Sequence, residues 1–470
     1  MATIYIETHG CQMNEADSQY IARRAQSAGY ALCDKAEDAS VLVLNTCTVR
    51  DNAERRAYGR VASWKKLKTA DPSVKVIVAG CLAEQDKDRM ADIVPHVDGI
   101  FGPKDLAKLG DALVAWRPGF TDDDLTEDRS LLVAMDNAGS GVSGPYDRLR
   151  AYVNVQRGCS YYCTYCIVPH VRGRFDHRAI GEIVAEVERK VAAGAREVTL
   201  VGQTVNAYRE PANGADFADL LETVAAIPGV ERLAFVTSHP NDFNEKLARA
   251  FGSIPSLNPR FHLPVQSASN PVLRKMNRKY TIEQYDEKIV LFRQHAPDWA
   301  LTTDIIVAFP SETEDDFQTT LAMCDDGRFA QAYMFVYSQR RGTPAAHWEP
   351  VPADVGQDRL TRLMAVIDRG VRAYHDRKIG TTVRALVHGP SRKDRTMLSA
   401  KTLDNVTVVF PTIEHPGAPL VDEPWVDVRI DSAAVWGVRG TAVRRAARFV
   451  DAGHEVRALP QTLDLVSLAR

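Results

Sequence analysis

The 470-residue chain has no apolar run long enough to cross a bilayer, and its opening residues, Met1 to Glu7, carry no basic segment ahead of an apolar one. Neither a membrane span nor a secretory leader is expected, and the protein is expected to be cytoplasmic. Strong charge of either sign is also missing: 58 Lys and Arg stand against 61 Asp and Glu, a net of −3. That balance excludes a nucleic-acid footprint spread over the whole surface, so any such surface must be local. Cysteine is sparse at eight residues. In a reducing compartment such residues bind metals or catalyse more often than they form disulfides. The two separated cysteine pairs usual for a zinc site are absent.

Three of the eight cysteines, Cys159, Cys163 and Cys166, form the run C-x3-C-x2-C inside one short loop. Three thiolates so close in sequence suit a [4Fe–4S] cluster, although a closed structural cluster takes four cysteine ligands. With no fourth one in the loop, one iron is left for a substrate or cofactor, as an open catalytic metal site leaves a position free. A zinc site lacking its fourth ligand is the competing reading of the same residues.

Three more cysteines share a different pattern. The β-branched runs Thr3–Thr8, Val41–Thr46 and Val74–Ala79 read as buried parallel strands, and they lead into Gly10-Cys11, Cys47 and Gly80-Cys81. Helix-compatible sequence follows, over Glu15–Ala28 and Asn52–Lys68 for example. In an open α/β sheet, ligands bind beyond the carboxyl ends of the strands. Cys11, Cys47 and Cys81 would therefore converge in space, which argues for a second metal site. Cys33 and Cys324 lie outside this slot, and both are assigned to packing.

The remainder divides by composition. Residues 119–146 are polar and rich in Asp, Gly and Ser, and read as a connection. Beyond it, strands are expected at Ala151–Gln156, Glu197–Gly202, Arg232–Thr237, Arg260–Val265, Leu301–Phe309 and Ala332–Tyr337, with helical patterns between them. Their ends are polar: Gln203 and Asn206 after the second, Ser238 after the third, Gln266 after the fourth, Glu312 after the fifth. Ser311 with Glu314 fits a helix capping box. Arg172-Gly173-Arg174 offers guanidinium groups for a carboxylate or phosphate, or else forms a solvated turn. After a helical stretch over Asp358–Arg377, five short strands suggest a small barrel of the oligonucleotide-binding kind. Residues 378–448 hold 11 Lys and Arg against 7 Asp and Glu, an excess of +4, with Arg392, Lys393 and Arg395 in one loop. That is a modest footprint for phosphate.

The C-x3-C-x2-C loop resembles the signature of the radical S-adenosylmethionine (SAM) enzymes, and Cys11, Cys47 and Cys81 in their settings resemble the methylthiotransferase subgroup. The resemblance implies an α/β protein with an N-terminal open parallel sheet (1–118), a linker (119–144), a partial (β/α)6 barrel (145–377), a small RNA-binding β-barrel called TRAM (378–448) and a tail (449–470). It implies two [4Fe–4S] clusters. One, on Cys159, Cys163 and Cys166, would bind SAM and reduce it to a 5′-deoxyadenosyl radical; the other, on Cys11, Cys47 and Cys81, would carry the sulfur. Tyr165 matches the position packed near the adenine of SAM. Gln203, Asn206, Ser238, Gln266 and Glu312 are expected around SAM or the reacting base.

Gly10-Cys-Gln-Met-Asn14, Asn45-Thr-Cys-Thr-Val-Arg50 and Leu263-Pro-Val-Gln-Ser267 are similar to the branch that inserts a methylthio group at C2 of N6-dimethylallyladenosine in the tRNA anticodon loop. The alternatives are branches acting on a ribosomal-protein aspartate or on threonylcarbamoyl-adenosine, and an RNA-binding iron–sulfur protein with impaired catalysis. Expected partners are tRNA, SAM, an electron donor such as flavodoxin or ferredoxin, and a sulfur donor of unknown identity, with the chain a monomer. Some positions depart from the family pattern. Ala268, Ala308 and Ser311 stand where glycine is usual, and Phe175 and His177 replace Glu and Ser. A Cβ in the left-handed region costs about 1 kcal/mol, and more where the methyl meets a ligand, so weaker SAM binding is the expectation.

Overall fold

The computed structural model describes residues 2–10, 12–48, 51–117, 146–411 and 424–445. The N-terminal sheet has strands β1 (Thr3–His9), β2 (Ala31–Leu32), β3 (Val41–Thr46), β4 (Lys75–Gly80) and β5 (Gly99–Phe101). Their order is β2-β1-β3-β4-β5 and every pairing is parallel. β3 shows why the sheet is doubly wound. All six of its residues are buried, and successive side chains point to opposite faces. Val41 and Val43 join a core with Ile21, Leu109 and Leu113, whereas Leu42 and Leu44 join another with Val61, Trp64 and Met90. Helices Gln12–Ser27 and Leu106–Ala115 supply the first core, and Asp51–Ala70 and Lys87–Ile93 the second. The strand order reverses between β1 and β3, which is where such sheets open a crevice beyond their carboxyl ends.

In the middle of the chain, β6 (Arg150–Asn154), β9 (Glu197–Val201) and β10 (Arg232–Phe235) form one parallel sheet. Strands β11 (Arg260–His262), β12 (Ala300–Val307) and β13 (Gln331–Val336) form another. A parallel bridge from Leu233 of β10 to Leu257, just ahead of β11, links the two, so six strands follow one another around a partial barrel. A short hairpin of β7 (Gln156–Arg157) and β8 (Asp176–His177) brackets the cysteine loop. The strands are shorter than their apolar runs because the last residues of each run bend into the loops at the barrel mouth. Gln266 and Thr237 there take positive φ, 74° and 65°. Phe235, Phe243, Phe251, Phe261 and Phe292 fill the interior. Cys324 is buried with them, as its assignment to packing requires, and Cys33 packs half-buried on the N-terminal sheet.

Helix Ala353–Asp376 leads to a closed five-stranded barrel of β14 (Thr382–Pro390), β15 (Met397–Thr402), β16 (Thr407–Pro411), β17 (Trp425–Ala434) and β18 (Gly437–Arg445), in the order β14-β15-β16-β18-β17. The pairings are antiparallel except for β16 with β18. This barrel is tied to the larger one by buried polar contacts, among them Trp425 Nε1 donating to Glu231 at 2.7 Å. No helix among the described residues is long and apolar enough to cross a membrane. The expected linker and tail lie outside the described residues.

Candidate functional site

The three cysteines of the C-x3-C-x2-C loop sit at the mouth of the partial barrel, where the chain passes from β7 to helix Val168–Arg172. Gly158 makes the loop possible. Its φ is 73°, and a Cβ there would stand 2.0 Å from the carbonyl oxygen of Arg174. The loop closes on itself, Cys159 N–H donating to Gly173 O at 3.0 Å and Cys166 N–H to Cys163 O at 3.0 Å. Thr204 Oγ1 stands 3.5 Å from Cys159 Sγ. Arg278 donates through Nη1 to Cys163 Sγ at 3.5 Å. Burial pushes the Cys166 thiol up to about 12, with the neighbouring Cys163 adding to it, and burial raises Cys159 as well. Such thiols ionise when they ligate a metal, whose charge reverses the effect of burial.

Next to the loop, several buried polar atoms have no partner among the described residues: Gln203 Oε1, Ser238 Oγ and His239 Nε2. His239 Nδ1 accepts from Asn241 N–H at 3.2 Å. Its proton is thereby assigned to Nε2, which becomes a donor without an acceptor. The ring lies stacked on Tyr161 of the cysteine loop, centroids 3.7 Å apart, and burial holds its pKa well below the usual value, so the imidazole is neutral. Unsatisfied buried groups are rare in native proteins and call for a ligand or water. Three thiols without a fourth, and a cradle of unpaired donors and acceptors beside them, fit a three-ligand cluster that binds a polar cofactor. Among the described residues, no three His, Cys, Asp or Glu side chains form a group able to hold a single metal ion.

Other expected residues serve the walls of this mouth. Asn206 spends both ends of its amide on the backbone of His239, at 2.8 Å each, so it clamps two strand-end loops together. Gln266 is buried with its backbone bridged to Ile305. Tyr165 meets Phe309 edge-on at 6.4 Å, giving an apolar flank. Glu312 accepts from Ala308 N–H at 2.8 Å and pairs with Arg359 Nη1 at 2.7 Å. Burial raises its pKa to about 7 against the pull of that guanidinium. Glu312 N–H bonds Phe309 O at 2.8 Å. With Pro310 at the second place and Ser311 at φ 73° in the third, this has the signature of a type II turn. The helix cap is therefore Thr313 with Asp316, not Ser311 with Glu314, because Ser311 is held in the turn. Ala308 also has positive φ, 56°, whereas Ala268 does not and simply donates its N–H to Thr320 at 3.0 Å.

The second set begins at the carboxyl ends of β3 and β4. Cys47 and Cys81 follow those strands directly and are buried; Cys11 lies outside the described residues. Gly80 lets the two strand ends approach, since a Cβ there would stand 2.3 Å from Thr46 O. An amide network ties the start of the helix after β1 to the carboxyl end of β3. Asn14 donates to Thr46 O at 3.0 Å, and Asn45 returns a bond to Asn14 O at 2.8 Å. Cys81 packs against Ile167 and Val171, which follow the other cysteine loop. Arg172 donates through Nε to Cys81 Sγ at 3.1 Å and pairs through Nη2 with Asp17 at 2.8 Å. Of the two expectations for this segment, carboxylate pairing holds for the buried Arg172, while Arg174 is exposed. His239, Thr204 and Arg278 escaped sequence reasoning as partners of the site; the first two had a signal in their position at strand ends, and for Arg172 the sequence indicated a guanidinium but not its partners.

Residues 3–102 match the model described as Uncharacterized protein family UPF0004, and residues 153–324 match the Radical SAM superfamily. The chain is 38% identical over 446 residues to the tRNA-2-methylthio-N(6)-dimethylallyladenosine synthase of Janthinobacterium sp. (strain Marseille), covering 94% of this chain and 98% of that one. It is 38% identical over 449 residues to the enzyme of the same name from Moorella thermoacetica, with 94% and 98% covered. Among solved structures, its fold is similar to that of the radical S-adenosylmethionine methyltransferase TsrM from Kitasatospora setae. That match has a TM-score of 0.54 at 14% identity, over 74% of this chain and 75% of the other.

Proposed function

The chain belongs to the methylthiotransferase family of radical SAM enzymes, and from that we propose that it inserts a methylthio group at C2 of N6-dimethylallyladenosine beside the anticodon of tRNA. It is an enzyme; tRNA and SAM are its substrates, and a [4Fe–4S] cluster is its cofactor. The observation that carries the reading is the three-thiol loop at the barrel mouth with Gln203 Oε1, Ser238 Oγ and His239 Nε2 beside it, buried and without a partner among the described residues.

In this reading Cys159, Cys163 and Cys166 hold the first cluster, and Cys11, Cys47 and Cys81 hold a second. When bound, the clusters and SAM supply the sulfur and the radical that removes hydrogen from an unactivated aromatic carbon, chemistry beyond ordinary acids and bases. The chain's own groups bind and orient. Ser238 Oγ and His239 Nε2–H offer donors to the carboxylate or ribose of SAM, and Gln203 Oε1 offers an acceptor. Tyr165 and Phe309 form an apolar wall against its adenine, and the turn fixed by Glu312 and Arg359 shapes the same rim. The domains are those of the family: residues 1–118, 145–377 and a TRAM barrel over 378–448. An anticodon loop is single-stranded, so its bases can be splayed into a barrel mouth. A flavodoxin or ferredoxin supplies electrons, and the chain acts as a cytoplasmic monomer.

The test is mass spectrometry of tRNA nucleosides from the source cells with and without the gene. Loss of 2-methylthio-N6-dimethylallyladenosine, with its unthiolated precursor accumulating, is expected. An unchanged profile would overturn the tRNA assignment.

A further inference from the structure

A buried guanidinium is bonded to a sulfur in each cysteine set, Arg172 to Cys81 and Arg278 to Cys163, but the two differ in how their charge is matched. Arg172, at Cys81, forms an ion pair with Asp17, and the two side chains are 4% and 3% exposed. That pair adds a hydrogen bond to the sulfur and little net charge. Arg278, at Cys163, is 7% exposed. Its remaining bonds are to neutral groups: Nε to Tyr280 Oη at 2.9 Å and Nη2 to Pro264 O at 2.9 Å. Among the described residues no carboxylate pairs with it. A full positive charge in a low-dielectric setting therefore faces Cys163 alone, where electrostatic effects are strongest. Cluster potentials respond to net charge and to hydrogen bonds on the sulfurs.

We propose that Arg278 is the positioning residue that makes the Cys159–Cys163–Cys166 cluster the electron acceptor of the two, while Asp17 cancels the same influence of Arg172 at Cys81. The inference rests on the two-cluster reading above. The step concerned is the entry of one electron from a one-electron donor into a cluster, with no bond made or broken. A nearby uncompensated cation stabilises the more negative, reduced state.

The test uses the full-length chain with its clusters reconstituted anaerobically and without SAM. Sodium dithionite and redox mediators set the potential, and electron paramagnetic resonance reads each reduced cluster. Arg278→Gln is expected to lower one midpoint potential by at least a tenfold change in the oxidised-to-reduced ratio, which is about 59 mV for one electron. Arg278→Lys, which keeps the charge, should restore most of it. Asp17→Asn should move the other signal the opposite way, upward. Loss of folding shifts both signals or abolishes them, and does not give opposite signs. If Arg278→Gln leaves the potentials unchanged, or Arg278→Lys moves them as far, the proposal is overturned. Iron content reports separately on the premise: roughly four irons in the wild-type chain, instead of roughly eight, would remove the second cluster and leave the Arg278 comparison to be read on the one that remains.

Discussion

The methyl group of Ala308 lies against the bare Cα of Gly356: a Cβ built at Gly356 would stand 3.2 Å from Ala308 Cβ and 3.0 Å from Val336 Cγ1. Ala308 carries a side chain at φ 56°, where glycine is usual in the family. Its methyl faces the long helix 353–376, where Gly356 leaves the room. The methyl is thus accommodated within the protein by the glycine opposite. Ala308→Gly should leave SAM affinity unchanged in a binding titration. Its stability should stay within about 1 kcal/mol of wild type, because relief of the left-handed backbone offsets the lost methyl. Gly356→Ala should cost about 1–3 kcal/mol by overpacking. The double variant should recover part of that cost in urea unfolding, since the two sites share one space. Markedly tighter SAM binding by Ala308→Gly would show that the methyl does reach the ligand.

The two cysteine sets are separable by single substitutions. Cys47→Ala should remove about half of the iron of the reconstituted chain, and Cys163→Ala the other half, because each set supplies its own thiolates. Cys324→Ala should change iron content not at all, since Cys324 belongs to the apolar core. Colorimetric iron analysis per chain decides this, and equal loss in all three variants would contradict it.

How far the sequence discloses this arrangement depends on the kind of signal. The strand run at Val41–Thr46 coincides with the structure, since a buried β-branched run is a local property. The placement of Cys47 and Cys81 directly after β3 and β4 follows from the same local patterns. What stayed hidden was made by tertiary contacts. Arg172 reads in sequence either as a guanidinium for a carboxylate or phosphate or as a turn residue, and nothing local names its partners, Asp17 and Cys81, which lie 155 and 91 positions away. Arg278 reaches Cys163 across 115 positions. The cap falls at Thr313, two residues beyond the Ser311 that the sequence offers, because Ser311, also a good capping residue, is held at positive φ in the turn before the helix.

Asp404 anchors the C-terminal barrel to the long helix. Its carboxylate accepts from Tyr374 at 2.5 Å and Thr402 at 2.6 Å, and pairs with Lys378 at 2.7 Å. Burial alone would raise its pKa, but Lys378 and the hydroxyls overcome that and hold it at about 2, below its ordinary 3.8. An acid whose folded pKa is depressed contributes stability that is present above its unfolded pKa and lost as pH falls through the folded one. Asp404→Asn should therefore cost about 2 kcal/mol at neutral pH. The gap between variant and wild type should close as pH falls from about 4 towards 2. Thermal unfolding across that range measures it, and a gap that widens on acidification would show the sign to be wrong.

The loop between β14 and β15 carries the basic cluster of the small barrel that the sequence singles out. Arg392, Lys393 and Arg395 are all exposed. Asp394, the acid among them, spends its carboxylate on Thr396, at 2.6 Å to the hydroxyl and 3.0 Å to the N–H. The three cations are thereby left to solvent, without an ion pair among the described residues, on a loop whose shape the Asp394 contacts define. If this barrel grips the tRNA backbone, each of these side chains releases counterions from phosphate on binding. Replacing all three by Ala should then lower the slope of log K against log salt concentration by about 2 to 3. It should weaken binding to modified and unmodified tRNA alike, because phosphate contacts carry no base information. Protein stability should be unchanged, since nothing buried is touched. Filter binding to the anticodon stem-loop and to whole tRNA over a salt series reads the slope directly. A slope equal to wild type would move the RNA contact off this loop and onto the barrel mouth itself.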